Sequence, residues 1–175
     1  MTIQRFVPQG ALPAIGPADA PRFREAMSRV AGAVHLITTA GRAGRAGLTA
    51  TAVASVSDAP PTLLVCLNKS GRTAAILREN GFFAVNTLGA GHQELANVFA
   101  GRTPAKGEAR FEHGKWEPGA EGQHVLADAL VSFTARVVEI KPVATHLVVI
   151  GEIIEIGLGP AHAGLVYTRR AYYAV

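Results

Sequence analysis

The chain is dominated by apolar runs of strand length, which glycine, proline or polar turns separate. Runs rich in β-branched and aromatic residues predict strands at "AVHLITT", "LTATAVASVS", "TLLVCLN", "GFFAVNTL", "VSFTARVVEI", "HLVVIGEIIEIG" and "GLVYT". "TLLVCLN" is apolar without alternation, which predicts a strand covered on both faces. Asp58-Ala59-Pro60-Pro61 ends the second strand, because two prolines remove two donors from the ladder.

Helical spacing is confined to three short segments. One follows Pro21 and precedes Gly32, with apolar residues at Phe23, Ala26, Met27 and Val30. Residues 73–80 and 92–100 predict two more helices, each stopped by a following glycine. A doubly wound sheet needs a helix after nearly every strand, so the pattern predicts a mainly β fold, an antiparallel barrel with a few short helices.

The length of 175 residues predicts one domain, residues 21–175, preceded by a flexible N-terminal arm, residues 1–20. Residues 102–123 are polar and glycine-rich, which predicts a long loop carrying Trp116. The N-terminal segment has no continuous apolar core of the kind a signal peptide or anchor needs, and other apolar runs fall short of the roughly 20 residues that cross a bilayer. We therefore expect a cytoplasmic protein without membrane contact.

Charge and cysteine content narrow the classes of partner. Seventeen basic residues against 13 acidic ones give a net charge of +4, but the basic residues are scattered, unlike those of a nucleic-acid-binding protein. A small anionic ligand needs far less charge. The single cysteine, Cys66, excludes an intramolecular disulfide, and a buried thiol is its simpler interpretation. The six histidines show no metal-ligand spacing, so no metal site is predicted.

The segment Gly47 to Pro61, "GLTATAVASVSDAPP", is unusual for its small side chains. Read with period two, one face carries Leu48, Ala50, Ala52, Ala54 and Val56, and the other carries Thr49, Thr51, Val53, Ser55 and Ser57. A strand this thin lets a flat partner such as a flavin ring approach the backbone, and the hydroxyls offer hydrogen bonds. The alternative is a barrel strand that uses alanine for tight packing against a neighbour.

The next strand ends in Asn68-Lys69-Ser70-Gly71-Arg72-Thr73, where a helix is predicted to begin. Free backbone N–H groups at a helix start, with hydroxyls and cations nearby, suit a phosphate group. The alternative is a plain cap in which Ser70 closes a surface helix. Taken together, the thin strand and this segment fit a flat, phosphorylated cofactor.

The sequence resembles the flavin reductase family, the small reductase components of two-component flavin monooxygenases. The resemblance rests on "GLTATAVASVSDAPPTLLVCLNKSGRT", "GFFAVNTL", "NVFAGRTP", "THLVVIGEI" and "GLVYTRRAYY", in order from about Phe23 to Tyr172. It implies an FMN-binding split β-barrel of Greek-key type, in a homodimer with the flavin sites near the subunit interface.

The resemblance also implies site residues. The isoalloxazine ring would contact Thr49, Ala50, Thr51, Ala52 and Ser55, and the flavin would also be bordered by Cys66, Leu67, Asn68 and Phe99. The phosphate would lie at Ser70 and Thr73. NAD(P)H would be held by His146, Tyr167, Arg169 and Arg170. Many relatives end the last motif in an aromatic residue followed by histidine, whereas this chain has Tyr172-Tyr173, which leaves that histidine's contribution without a counterpart.

The implied activity is an NAD(P)H-dependent flavin reductase that supplies reduced flavin to a separate monooxygenase. Hydride transfer belongs to the two cofactors and needs no nucleophile–base pair. His146 would be the catalytic residue, a nicotinamide-side contact that donates a proton or a hydrogen bond, or it is a surface histidine that caps a turn. Arg169 and Arg170 would bind the nucleotide phosphates, or they are surface arginines. Two other functions stay open: a flavoprotein that reduces another acceptor such as a cobalt corrinoid, and a non-catalytic flavin-binding module. FMN and FAD, and NADH and NADPH, remain alternatives.

Overall fold

The computed structural model describes Gly16 and residues 18–175. Three α-helices lie in this part of the chain, Ala20–Ser28 (α1), Arg72–Asn80 (α2) and Gln93–Phe99 (α3). The strands are Gly32–Ala33 (β1), His35–Thr39 (β2), Ala46–Ala50 (β3), Val53–Asp58 (β4), Pro61–Asn68 (β5), Phe82–Thr87 (β6), Trp116–Pro118 (β7), His124–Leu126 (β8), Val131–Val143 (β9), His146–Leu158 (β10), Leu165–Thr168 (β11) and Ala171–Ala174 (β12). Short 3₁₀ turns occupy Ala90–His92, Gly107–Glu112 and Ala120–Gly122.

Seven antiparallel strands form the main sheet, in the order β3-β2-β6-β9-β10-β5-β4. Its two edges, β3 and β4, are consecutive in the chain, and only Thr51 and Ala52 separate them. A link this short spans at most about 10 Å between Ala50 and Val53. The edges must therefore approach each other, so the sheet curls into a barrel that is split where β3 and β4 meet. The predicted antiparallel split barrel with a few short helices is confirmed.

The prediction of one continuous strand at "LTATAVASVS" is wrong, because the chain changes partners in its middle. The Val53 amide donates to the Thr51 carbonyl at 3.0 Å, which makes a tight turn. The Cys66 amide then donates to the Ala52 carbonyl at 3.0 Å, which brings the chain onto β5. β3 pairs with β2 and β4 pairs with β5, so the two predicted faces do not run through the whole segment.

The other predicted elements are found, with changes at their ends. The three helices and the remaining strands are present, and β9 and β10 are longer than predicted, at 13 residues each. The predicted loop 102–123 contains β7 and two 3₁₀ turns. β1, β7, β8 and β12 were not predicted, since runs of two to four residues carry no readable period. The predicted arm lies mostly outside the described residues.

Burial of β5 alternates, contrary to the predicted cover on both faces. Leu63, Val65 and Leu67 are buried, whereas Leu64 and Cys66 on the opposite face are only half-buried. Cys66 is a free thiol. The single chain therefore leaves one apolar face of β5 partly open.

The strand β2 separates two hydrophobic cores. Ile37 faces the barrel interior, with members such as Val65, Phe83 and Val149. Leu36 faces outward into a second core under α3 and the 102–123 segment, with Phe99, Phe111, Leu126 and the half-buried Trp116 among its members. Successive side chains on a strand point to opposite faces, so one strand serves both cores, and all five of its residues are buried.

Two buried amides fix the 102–130 region to the barrel. Asn86 donates to the Leu36 carbonyl at 3.3 Å and accepts from the Leu126 amide at 2.8 Å. Gln123 donates to the Ala40 carbonyl at 2.8 Å and accepts from the Ala40 amide at 3.0 Å. Both side chains are 0% exposed, where an unpaired amide is costly. The region is therefore held as part of the fold.

None of the helices in the described part of the chain has the length and apolar character needed to cross a membrane.

Gly47 is required by the second core, and its replacement should destabilise the fold. A Cβ at Gly47 would lie 2.7 Å from Cε1 of Phe99, whose ring is 1% exposed. We expect Gly47→Ala to lower the free energy of unfolding by about 1–3 kcal/mol, as overpacking does, measured by denaturant titration. Gly91→Ala is the control, since a Cβ there would meet nothing within 4 Å. Equal stability of the two variants would contradict this packing.

Candidate functional site

A pocket of about 180 Å³ lies at the split in the barrel. One wall is the end of β3 with the first link residue, Thr49 to Thr51, beside Val34. The opposite wall is the β11–β12 hairpin, through Tyr167 and Tyr172, and the segment after α3, through Ala100 and Arg102. The pocket is therefore built from four separate parts of the chain.

Arg102 is held at the pocket by a polar and aromatic cluster. Its guanidinium donates to Oη of Tyr167 at 3.1 Å and to Oδ1 of Asn97 at 3.2 Å. It also lies over the rings of Tyr167 and Tyr172, 5.5 and 5.6 Å from their centroids, within cation–π range. The hydrogen bond that Arg102 donates to Tyr167 raises the pKa of Arg102, and burial raises the pKa of Tyr172. A positive charge is thus fixed beside two aromatic rings.

The predicted ring-binding residues lie at the split, in three different settings. Thr49, Ala50 and Thr51 line the pocket, but the Thr49 hydroxyl already donates to the Ala96 carbonyl at 2.7 Å. Thr51 and Ala52 are exposed in the link. Ser55 is exposed on β4. The link therefore presents small, exposed residues, which a flat ligand can approach.

The end of β5 adds a backbone donor on the same side as the split. The Cys66 amide points toward β4, and the Lys69 amide donates to the Thr145 carbonyl on the opposite side at 3.1 Å. Amides alternate in direction along a strand, so the Asn68 amide points toward the β4 side. Pairing between β4 and β5 stops at Val53 and Val65, which places this amide beyond the ladder.

The start of α2 is not capped by a side chain. Its N-cap is Gly71, while the Ser70 hydroxyl donates to Oδ1 of Asn68 at 2.8 Å; the alternative of Ser70 as a plain cap is therefore wrong. Thr73 is 7% exposed, and its hydroxyl donates to the Gly47 carbonyl at 3.3 Å. The first amides of α2 and the exposed Lys69 and Arg72 are the groups that an anion could contact here.

Two of the predicted flavin neighbours are core residues. Phe99 is 1% exposed and packs its ring 5.2 Å from that of Phe111 and 5.6 Å from that of Trp116. Leu67 is also 1% exposed, in the barrel interior. The structure therefore brings neither side chain to the pocket.

His146 begins β10, directly opposite Asn68 in the β5–β10 pairing. It is exposed, and its Nδ1 lies 2.8 Å from Oγ1 of Thr145 in the β9–β10 turn. The structure thus brings His146 next to the end of β5, and it also shows the turn contact that the alternative interpretation expects.

Arg169 and Arg170 form the turn of the β11–β12 hairpin, both with positive φ, 49° and 61°. The Arg169 amide donates to the Ser28 carbonyl at the end of α1. Arg170 donates to Glu25 at 2.9 Å, and this hydrogen bond lowers the pKa of Glu25. Both arginines are exposed, but they lie against α1, whereas Tyr167 of the same hairpin lines the pocket.

The sequence reasoning missed Arg102 and Tyr172 as pocket residues. Both lie in the motifs "NVFAGRTP" and "GLVYTRRAYY", so the segments were noticed, but not these positions. Their proximity depends on contacts across 70 residues, between the end of α3 and the last hairpin. No local pattern reports such a contact.

The size of the pocket limits what it can hold. A cavity of about 150 Å³ accommodates a single aromatic ring, whereas sites for whole drug-sized ligands measure about 300–1,000 Å³. The 180 Å³ pocket therefore suits part of a flat ring system, with the rest of the ligand lying over the exposed link. Among the described residues, no group of three or more His, Cys, Asp or Glu side chains could hold a metal ion.

This architecture is that of a known class of protein. The sequence model of the family "Flavin reductase like domain" matches residues 27–175. The chain belongs to this family.

Individual relatives are similar over nearly the whole chain. An FMN reductase (NADH) RutF from Ancylobacter novellus is 47% identical over 165 residues, which cover 91% of this chain and 90% of that protein. An FMN reductase (NADH) RutF from Variovorax paradoxus is 45% identical over 175 residues, which cover 100% of this chain and 94% of that protein.

Solved structures of similar fold include reductases of other systems. BorF, the flavin reductase component of a bacterial two-component tryptophan halogenase, has a TM-score of 0.83 and 26% identity, covering 90% of this chain and 98% of that one. Streptomyces globisporus SgcE6, an NADH:FAD oxidoreductase in complex with NAD and FAD fragments, also has a TM-score of 0.83, with 25% identity, covering 93% of this chain and 96% of that one.

A buried histidine beside the site predicts a pH dependence of stability. His35 lies opposite Ala50 on β2, is 9% exposed, and has its Nδ1 3.1 Å from Oγ1 of Thr87. Burial lowers the pKa of His35 from 6.5 to about 4. The folded protein keeps His35 neutral, whereas the unfolded chain binds a proton there below about pH 6.5. The stability that the neutral His35 contributes is therefore complete above pH 6.5 and is lost as the pH falls toward 4.

We expect this one group to reduce the free energy of unfolding by about 1.4 kcal/mol per pH unit between pH 6.5 and 4. Burial also lowers the pKa of His124, so the measure is the difference between the parent protein and His35→Gln. The stability advantage of the parent should shrink as the pH falls. Parallel stability curves for the two proteins would show that His35 does not resist protonation.

Proposed function

We propose that this protein is an NADH-dependent FMN reductase that passes reduced flavin to a separate oxygenase. The observation that carries the proposal is the ring-sized pocket at the split, next to an exposed two-residue link. The FMN reductase (NADH) relatives, at 45–47% identity over at least 91% of the chain, support FMN and NADH over FAD and NADPH. BorF, a reductase component of a two-component system, supports the separate oxygenase.

The flavin ring would lie against the link, over Thr49, Ala50, Thr51 and Ala52, with Ser55 and Cys66 at its border. The backbone amide of Asn68 would donate a hydrogen bond to the flavin, either to the ring or to the chain that joins the ring to the phosphate. The phosphate would lie at the start of α2, near Ser70 and Thr73, where amides and two cations are available. Leu67 and Phe99 would support this surface from the core. In this arrangement the protein contributes position and exclusion of water, while the flavin supplies the hydride acceptor.

NADH would approach from the side of His146 and the last hairpin. His146 would contact the nicotinamide, because its position opposite Asn68 brings it beside the flavin end of β5. Tyr167 would form part of the ring pocket. Arg169 and Arg170 would contact the nucleotide phosphates, which requires Arg170 to exchange its exposed ion pair with Glu25 for a phosphate. Exposed ion pairs contribute little, so this exchange is cheap.

We also propose that the active form is a homodimer. The single chain exposes a group of large apolar side chains on β4, β9 and β10, which includes Val56, Val138, Ile154, Ile156 and Leu158. Pairing between β5 and β10 ends at Glu152, so the part of β10 that carries three of these residues pairs with β9 alone. Apolar groups of this kind mark interfaces.

With NADH as donor, the cytoplasm is the location we propose.

Purified protein mixed with NADH and FMN tests the activity. We expect flavin-dependent oxidation of NADH, with reduced FMN released to solution, and weaker activity with NADPH. Thr51→Trp should lower the rate at least about tenfold by filling the pocket mouth, since misplacing a bound ligand costs factors of this size or more. Ala161→Trp, which places the same side chain in an exposed loop, should leave the rate unchanged.

Other outcomes of this assay point to the alternatives. Tight FMN binding without oxidation of either nicotinamide would favour the non-catalytic module. Reduced flavin that stays bound and reacts only with an added acceptor would favour the flavoprotein that reduces another acceptor, such as a cobalt corrinoid.

Light scattering after size exclusion tests the homodimer. The parent protein should elute with twice the mass of the chain, and Ile156→Glu should shift it toward the monomer, because a buried unpaired carboxylate is costly at an interface. Val175→Glu is the control, since Val175 is exposed at 73% and lies outside the β4, β9 and β10 group. A dimer that survives Ile156→Glu unchanged would exclude this surface.

A further inference from the structure

Arg102 differs from every other residue that lines the pocket. Among the described lining residues it alone is charged; the others are small, apolar, hydroxyl-bearing or aromatic, namely Val34, Thr49, Ala50, Thr51, Ala100, Tyr167 and Tyr172. No acidic side chain lines the pocket to neutralise it. Its contacts within 3.2 Å are the neutral groups of Tyr167 and Asn97, so its charge is balanced by no partner on the lining.

The cation lies at the ring end of the site that we propose. The α2 end is marked by the bond from Thr73 to the Gly47 carbonyl. From Gly47 to Ala50 the strand advances by three residues, which is about 10 Å. A phosphate at the start of α2 would therefore leave the other end of the ligand, its ring, at Ala50 and Thr51 beside Arg102.

We propose that Arg102 is a binding residue that selects the reduced, anionic form of the flavin over the oxidised form. This inference rests on the proposed function. Reduction breaks the C–H bond of dihydronicotinamide and forms an N–H bond on the flavin, so NADH becomes NAD⁺ and the ring gains one negative charge until a proton from solvent neutralises it. An unbalanced cation stabilises a charged ligand ring and has little effect on a neutral one.

Contacts with the two tyrosines fix the position of the charge. The planar guanidinium sits over two rings and donates to a phenol, which limits its freedom in a way that a lysine ammonium would not match. The site therefore has a pre-positioned cation, although the side chain is exposed to solvent.

The proposal is tested by measuring the equilibrium binding of oxidised and of reduced FMN to the full chain, in the oligomeric state in which it is purified. For Arg102→Gln we expect the dissociation constant of reduced FMN to rise about tenfold and that of oxidised FMN to stay within about twofold. The midpoint potential of the bound ring should fall by about 30 mV, the value of a tenfold change for a two-electron couple. Arg102→Lys should keep most of the preference, because it keeps the charge.

Arg42→Gln is the matched control, since it removes one charge from an exposed arginine paired with Glu79, away from the pocket. It should bind both forms as the parent does. Salt provides a measurement without mutation: the preference of the parent for reduced FMN should shrink at about 1 M salt, where the screening length is about 3 Å. This keeps the proposal testable if the Arg102 variants do not fold.

The contrary results are distinct. Equal weakening of both redox forms, or a preference that neither Arg102→Gln nor salt changes, would overturn the role of Arg102. Weakening for FMN but not for riboflavin, which lacks the phosphate, would assign Arg102 to the phosphate instead and overturn the proposal. A parent protein that binds neither form of flavin would refute the proposed function itself, whereas normal binding with unchanged variants would refute only this inference.

Discussion

The short passage from β3 to β4 is the constraint on which the rest of the structure depends. Two residues must carry the chain from one edge of a seven-stranded sheet to the other. The sheet has to curl for this to happen, and the residues of the passage have to be small, because a tight turn and two strand edges converge there. The small side chains of Thr51 and Ala52 fit this chain geometry, and both residues are exposed where a flat ligand can approach them.

Packing behind the split connects the β3–β4 passage to residues on other elements of the fold. The Gly47 carbonyl accepts hydrogen bonds from Thr73 of α2 and from Arg110 of the 3₁₀ turn, both at 3.3 Å. Its missing side chain makes room for the Phe99 ring. One backbone position therefore ties the helix start, the second core and the pocket strand together, so that the two ends of the proposed ligand site are held at a fixed separation.

The sequence predicted the class of fold and most strands, because long apolar runs and proline breaks are local signals. It could not predict the break at Thr51 and Ala52, since nothing local distinguishes a small-residue strand from two strands that change partner. The family resemblance carries position and not burial, so it could not predict that the Phe99 ring fills a core. Arg102 and Tyr172 were missed because only folding brings the end of α3 to the last hairpin.

The β11–β12 hairpin determines when the pocket can form as the chain is synthesised and folds. Gly32 pairs with Tyr167, and the tyrosines that complete the pocket come from positions 167 and 172. Contacts between such remote parts of a chain form late and slowly, because a large loop must close before they repay its entropy. A chain still on the ribosome can pair its earlier strands, but the pocket is complete only once Tyr172 has been synthesised and the β11–β12 hairpin has formed.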